Sequence, residues 1–203
     1  MRIPLGGEGA NSDKRDSEWR TPLSHAARCG GERVVKILLG REGANPPNNP
    51  DHKRQTPLLS AALNGHEGVT KILLGLEKVD PTSSDHGDHT PLAVAAFGGH
   101  EGVVKMLLRR EEVNPDKQDI RGGTPLSKAA SAGHAGVVKI LLGREEVDPD
   151  KPDHEGRTPL SHAAEDGREG VVKIILGCGE VNLNKPDNWG QTPLMFATTH
   201  RRG

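Results

Sequence analysis

Aromatic residues are almost missing from this sequence: of 203 residues two are Trp, two are Phe and none is Tyr. A core built around large rings is therefore excluded. Charge of one sign is missing too, with 27 Lys and Arg against 28 Asp and Glu. No net field exists to gather phosphates or anionic lipid, which argues against nucleic acid or a membrane surface as partner. The only cysteines, Cys29 and Cys178, form no CxxC pair, so neither a disulfide framework nor a cysteine zinc site is available. No stretch approaches the ~18 apolar residues of a membrane span, and the opening MRIPLGGEGANSDKRD has no apolar signal segment. An intracellular, soluble protein is expected, in the cytoplasm with the nucleus as the alternative.

A mean hydropathy of −0.62 would suit disorder, but disorder also calls for strong net charge, and the formal charge here is −1. What organises the chain is a period. Thr-Pro-Leu recurs at Thr21, Thr56, Thr90, Thr124, Thr158 and Thr192, at spacings of 35, 34, 34, 34 and 34. The reading is a partial unit 1–20, units 21–55, 56–89, 90–123, 124–157 and 158–191, and a partial unit 192–203, forming one domain over 1–203. With Thr as position 1, and the last positions counted back from the next Thr, Thr-Pro is a helix start: the hydroxyl caps a free amide and Pro needs no donor in the first turn. Positions 3, 6, 7 and 10 are Leu, Ala, Ala and Gly in every complete unit, a stripe that buries one face of helix A and closes on a residue suited to a left-handed turn. Helix B follows, apolar nearly all round at positions 14 to 19, as in VVKILL. Its polar stripe offers Glu32–Lys36, Glu67–Lys71, Glu101–Lys105 and Glu169–Lys173 as i, i+4 pairs. A Pro/Asp/Asn-rich stretch such as VDPDKPDHEGR then predicts a projecting loop or hairpin. One unit cannot bury both its helices, so units stack, the array bending around the thinner helix A.

TPLSHAA at 21–27, TPLSKAA at 124–130, NGHEGVTKILL at 64–74 and GGHEGVVKMLL at 98–108 make the chain resemble the ankyrin-repeat family over essentially its whole length. The wording of the repeats looks like that of long fungal arrays, often the sensor end of nucleotide-switch proteins. The resemblance implies an all-α solenoid of five helix pairs with partial units at both ends. It also implies a protein partner, held along the concave groove and the finger loops, and a monomer or a piece of a larger array. The rival reading is a structural spacer without a ligand. Two departures stand out. The family's His after Thr-Pro-Leu is replaced by Ser24, Leu59, Ala93, Ser127, Ser161 and Met195, putting its hydrogen bonds between repeats in question, and the finger is one residue longer than usual.

Ten histidines invite a metal or catalytic reading, which their placement does not favour. His66, His100 and His134 share position 11, where the resemblance makes them structural. His86 and His154 lie two units apart, and His86 and His89 with Asp85 and Asp88 make a poor zinc set. Ser24-His25 and Ser161-His162 are neighbours on a helix, with diverging side chains and no acid partner. No catalytic residue, cofactor or metal is expected. Residue type wanders at positions 4, 5, 8, 9 and 31 to 34 while the packing positions hold, and all four aromatics fall on wandering positions. Interfaces favour such anchors, whereas neutral drift on a wet surface is the bland explanation. The candidate partner-binding residues are Trp19, His25, Arg28, Leu63, Val94, Phe97, Ile120, Arg121, Lys128, His162 and Trp189. Among them Leu63, Val94 and Phe97 on helix A, with Ile120 at the tip of the next finger, are expected to form an apolar patch with Arg28, Arg54 and Arg121 nearby.

Overall fold

The computed structural model describes residues 14–40, 46–179 and 181–199. The expected partial units reach outside these, over 1–13 at one end and 200–203 at the other. The described residues form helix pairs in chain order. The pairs are α1 (Pro22–Arg28) with α2 (Glu32–Leu39), α3 (Pro57–Leu63) with α4 (Glu67–Leu74), and α5 (Pro91–Phe97) with α6 (Glu101–Leu107). Then come α7 (Pro125–Ala132) with α8 (Ala135–Leu142), α9 (Pro159–Glu165) with α10 (Glu169–Leu176), and α11 (Pro193–Thr199). No strand occurs among the described residues, so the fingers are turns rather than hairpins.

Each complete helix A starts as Thr-Pro dictates. The Thr hydroxyl of Thr21, Thr56, Thr90, Thr124 and Thr158 accepts the N–H of position 4 at 3.1–3.2 Å, a cap worth about 1 kcal/mol. Each ends just before a glycine at position 10, and Gly30, Gly65, Gly99, Gly133 and Gly167 all have φ between 64° and 86°, a conformation costly for any residue with a side chain.

Consecutive helices A pack on one another, as do consecutive helices B. The stripe read from the sequence is the interior: Leu92, Leu126, Ala62, Ala96 and Ala130 are wholly buried, as are Val35, Val69, Val103, Val104 and Leu141 from helix B. The outer face departs from expectation. Of the four i, i+4 pairs, only Lys105–Glu101 forms, at 3.6 Å. Glu32 and Glu67 instead lie over Gly68 and Gly102 of the following helix B, in space a Cβ would need, and Glu101 lies over Gly136 in the same way while keeping its pair. At Gly68, Gly102 and Gly136 the absent side chain leaves room for the preceding unit's glutamate to cross.

Position 11, rather than the residue after Thr-Pro-Leu, supplies side-chain hydrogen bonds from one unit to the unit before it. His66, His100 and His134 place Nε2 at 2.9–3.1 Å from the carbonyls of Arg28, Leu63 and Phe97. Arg168 donates from Nε to the Ser131 carbonyl at 2.8 Å. These carbonyls all belong to position 8, so each unit holds the groove-side helix end of the unit before it.

Candidate functional site

The concave side is built from helix A and the fingers, and the fingers depend on one aspartate. Asp16, Asp51, Asp85, Asp119, Asp153 and Asp187 stand five residues before each Thr. One carboxylate oxygen of each accepts the N–H groups two and four residues on, at 2.8–3.0 Å. The turn so closed places position 33 in the left-handed region, in Gly122, Gly156 and Gly190 but also in Trp19, Arg54 and Asp88. Neighbouring fingers share one backbone bond: the amides of His52, His86, Ile120, His154 and Asn188 donate to the carbonyls of Glu18, Lys53, Gly87, Arg121 and Glu155 at 2.9–3.2 Å.

The second oxygen of the finger aspartate decides the character of the groove. In three units it is met by position 5 of helix A, nine residues on. His25 Nε2 lies 2.8 Å from Asp16, Lys128 Nζ 2.6 Å from Asp119, and His162 Nε2 2.9 Å from Asp153. Burial by itself raises the Asp119 carboxyl, but the Lys128 ammonium and the amides of Arg121 and Gly123 outweigh it and hold that group below the usual carboxylate range. Three of the expected binding residues, His25, Lys128 and His162, thus already have a partner inside the chain.

Position 5 is Val94 in the third unit, and Val94 is 9% exposed, so it forms a buried floor rather than an open surface. With no basic group opposite, Asp85 is met from its own finger by His89 Nδ1 at 3.1 Å, and His89 Nε2 extends to Asp119 at 3.4 Å. The result is a hollow of about 270 Å³, lined by Leu63, Ala93, Val94 and Phe97 together with Gln55, Asp85, His89 and Lys128. Phe97 remains 55% and Leu63 39% exposed. Phe97 and Lys128 also border a second hollow of about 200 Å³ that includes Arg121 and His162.

Of the expected apolar patch, Leu63, Val94 and Phe97 line one surface, joined by Lys128 and continued towards Arg121 and His162, while Ile120 stands outside it. Trp19, Trp189, His25, Arg28 and Ile120 line neither hollow. Trp19, Ile120 and Trp189 are all more than half exposed, and the Arg15 guanidinium lies 5.5 Å from the Trp19 ring centre. Gln55, Asp85 and His89 were not among the expected residues. The signal for Asp85 was its recurrence in every finger, and the signal for His89 was the loss of a basic partner at Val94. A third, more apolar hollow of about 300 Å³ lies between α9, α10 and α11. Its walls, including Val172, Leu176 and Leu194, are stacking positions whose counterparts in earlier units are covered by the following helix pair. It reflects stacking rather than groove chemistry.

Among the described residues no three His, Cys, Asp or Glu side chains converge as metal ligands, and no helix is long and apolar enough to cross a membrane. A family model described as ankyrin repeats (3 copies) matches residues 3–85, 23–119, 70–153, 92–185 and 126–203. No curated protein matches the chain.

Proposed function

The chain belongs to the ankyrin-repeat family, a non-enzymatic interaction fold whose repeats bind other proteins, and from that premise we propose that it holds a protein partner on its concave face, centred on Phe97. One observation carries the reading. Where Val94 stands at the position held by His25, Lys128 and His162 in three other units, and by Ser60 in the second, an apolar hollow opens beside a half-exposed Phe97 and Leu63. A residue that merely drifted on a wet surface would not coincide with a floor, walls and a rewired finger.

Central, apolar, well-walled anchors supply most of the energy of an interface. Leu63→Ala with Phe97→Ala is expected to weaken partner capture by about 2 kcal/mol or more while leaving the urea midpoint of the chain nearly unchanged. Reversing charge on the outer face, with Lys105→Glu and Lys139→Glu, leaves capture intact. The test is affinity capture with the parent chain and both variants side by side. Equal recovery by the Leu63/Phe97 variant, or loss only in the outer-face variant, moves the binding surface elsewhere.

A further inference from the structure

The net charge of −1 conceals a sorting of charge along the concave side. Position 8 of successive helices A, which pack side by side, reads Arg28, Leu63, Phe97, Ser131 and Glu165. The row runs from basic through apolar to acidic. Finger position 32 reads Glu18, Lys53, Gly87, Arg121, Glu155 and Trp189, with basic residues on the two fingers either side of Gly87.

The anions of this side are already engaged within the chain. Glu18 pairs with His52 at 3.1 Å, and Glu155 and Glu165 both pair with Arg157, at 2.9 and 3.2 Å. Asp166 accepts from the Ser131 hydroxyl at 2.7 Å, and Asp88 accepts from the Ser84 hydroxyl at 3.3 Å. Asp85, Asp119 and Asp153 are held as described above. The cations are not. Arg28, Lys53, Arg54 and Arg121 are exposed, and among the described residues none of their charged ends has an ion-pair or hydrogen-bond partner. Arg54 adjoins Gln55 of the main hollow and Arg28 precedes Leu63 in the position 8 row, while Arg121 borders the second hollow across Phe97. The charged side chains of this side left without a partner are cations, and they flank the apolar hollow, with Arg28, Lys53 and Arg54 towards the first unit and Arg121 beyond Phe97.

Resting on the concave-face reading above, we infer that the occupant is an acidic protein segment. One bulky aliphatic or aromatic side chain sits against Leu63, Val94 and Phe97, with Asp or Glu on both sides and more of them towards Arg28, Lys53 and Arg54. The unequal flanks fix the direction in which the segment lies. Complementary charge chiefly sets encounter rate and register, and the hollow supplies the contact that persists. A bare polyanion satisfies the cations and leaves the hollow empty.

The test is selection of random dodecapeptides, displayed on phage, against the full chain. Enriched peptides are expected to carry a Leu, Ile, Met, Phe or Trp flanked by Asp or Glu. They should bind roughly tenfold more weakly to a folded Arg28→Ser, Lys53→Ser, Arg54→Asn variant, and the difference should shrink at high salt. Asn is chosen at position 54 because it tolerates the left-handed backbone there. Enriched peptides that are basic or uncharged, yet lost on Leu63→Ala with Phe97→Ala, overturn the acidic occupant and leave the concave face standing. Peptides that bind the Leu63/Phe97 variant as well as the parent overturn the face itself, and absence of any enrichment overturns both. Displacement of the enriched peptides by single-stranded DNA that binds the Leu63/Phe97 variant equally well identifies a nucleic-acid groove instead.

Discussion

The third and fourth units share the same stacking residues and differ in what they present to the groove. In the fourth, Lys128 occupies position 5 and closes on Asp119, whose side chain is 1% exposed, leaving a more polar hollow. In the third, Val94 stands at that position, His89 takes over the finger aspartate, and the space a longer side chain would occupy becomes the hollow under Phe97. A single side chain exchanges a structural ion pair for a candidate binding site, and the stack beneath is indifferent. Stacking and the candidate recognition surface thus occupy different faces of the same seven- or eight-residue helix.

That separation can be broken at its base first. Leu92 and Leu126 are both wholly buried, so Leu92→Ala and Leu126→Ala are each expected to cost about 2–5 kcal/mol in urea melts, and to agree with one another within about 1 kcal/mol. A large inequality would show that the two units do not stack alike. Next comes the aspartate. Asp119→Ala removes two amide bonds and strands Lys128, for a loss of about 2 kcal/mol, whereas Asp85→Ala, at a more exposed carboxylate facing His89, should cost about 1 kcal/mol. Equal losses would deny the difference drawn between the fingers.

Acid sharpens the same point. The folded Asp119 carboxyl lies below its ordinary value, so its contribution is present above the unfolded pKa and disappears as pH falls through the lowered folded one. Asp116 has the opposite sign. Burial raises it against the pull of Lys151, so its contribution is present below the unfolded value and is lost as pH rises through the folded one. At neutral pH Asp116→Asn should therefore be neutral or slightly stabilising, while Asp119→Asn destabilises. Urea midpoints across pH 3 to 7 check both signs. The smallest effect is on the outer face. Gly68→Ala must displace Glu32, whereas an Ala Cβ at Gly170 meets nothing, so Gly170→Ala is expected to stabilise by about 0.5–1 kcal/mol and Gly68→Ala to gain less or to lose.

The stack was legible in the sequence because repetition makes packing explicit. Leu, Ala, Ala and Gly at fixed offsets name the buried stripe and the helix end without reference to anything distant. The apolar surface was legible for the same reason, since Val94 and Phe97 share one face of α5 by spacing and Leu63 repeats the register of Phe97 on the preceding helix A. The partners of position 5 were not. His25, Lys128 and His162 looked like free groove residues because the aspartate that binds each lies nine residues earlier, across a turn whose geometry rests on two backbone amides. The Glu32 and Glu67 pairs were misread because helical spacing identifies a possible neighbour on the same helix but is blind to the glycine of the next one.

The central claim is that the groove owes its binding hollow to the residue at position 5, and Val94→Lys tests it most directly. That substitution sets a basic side chain opposite Asp85 as Lys128 stands opposite Asp119, and fills the space beside Phe97. The measurement is the affinity of this variant for the partner captured by the parent chain, with the urea midpoint recorded alongside. Loss of binding with stability changed by no more than about 1 kcal/mol is the predicted result. Undiminished binding by a folded Val94→Lys chain would contradict the account.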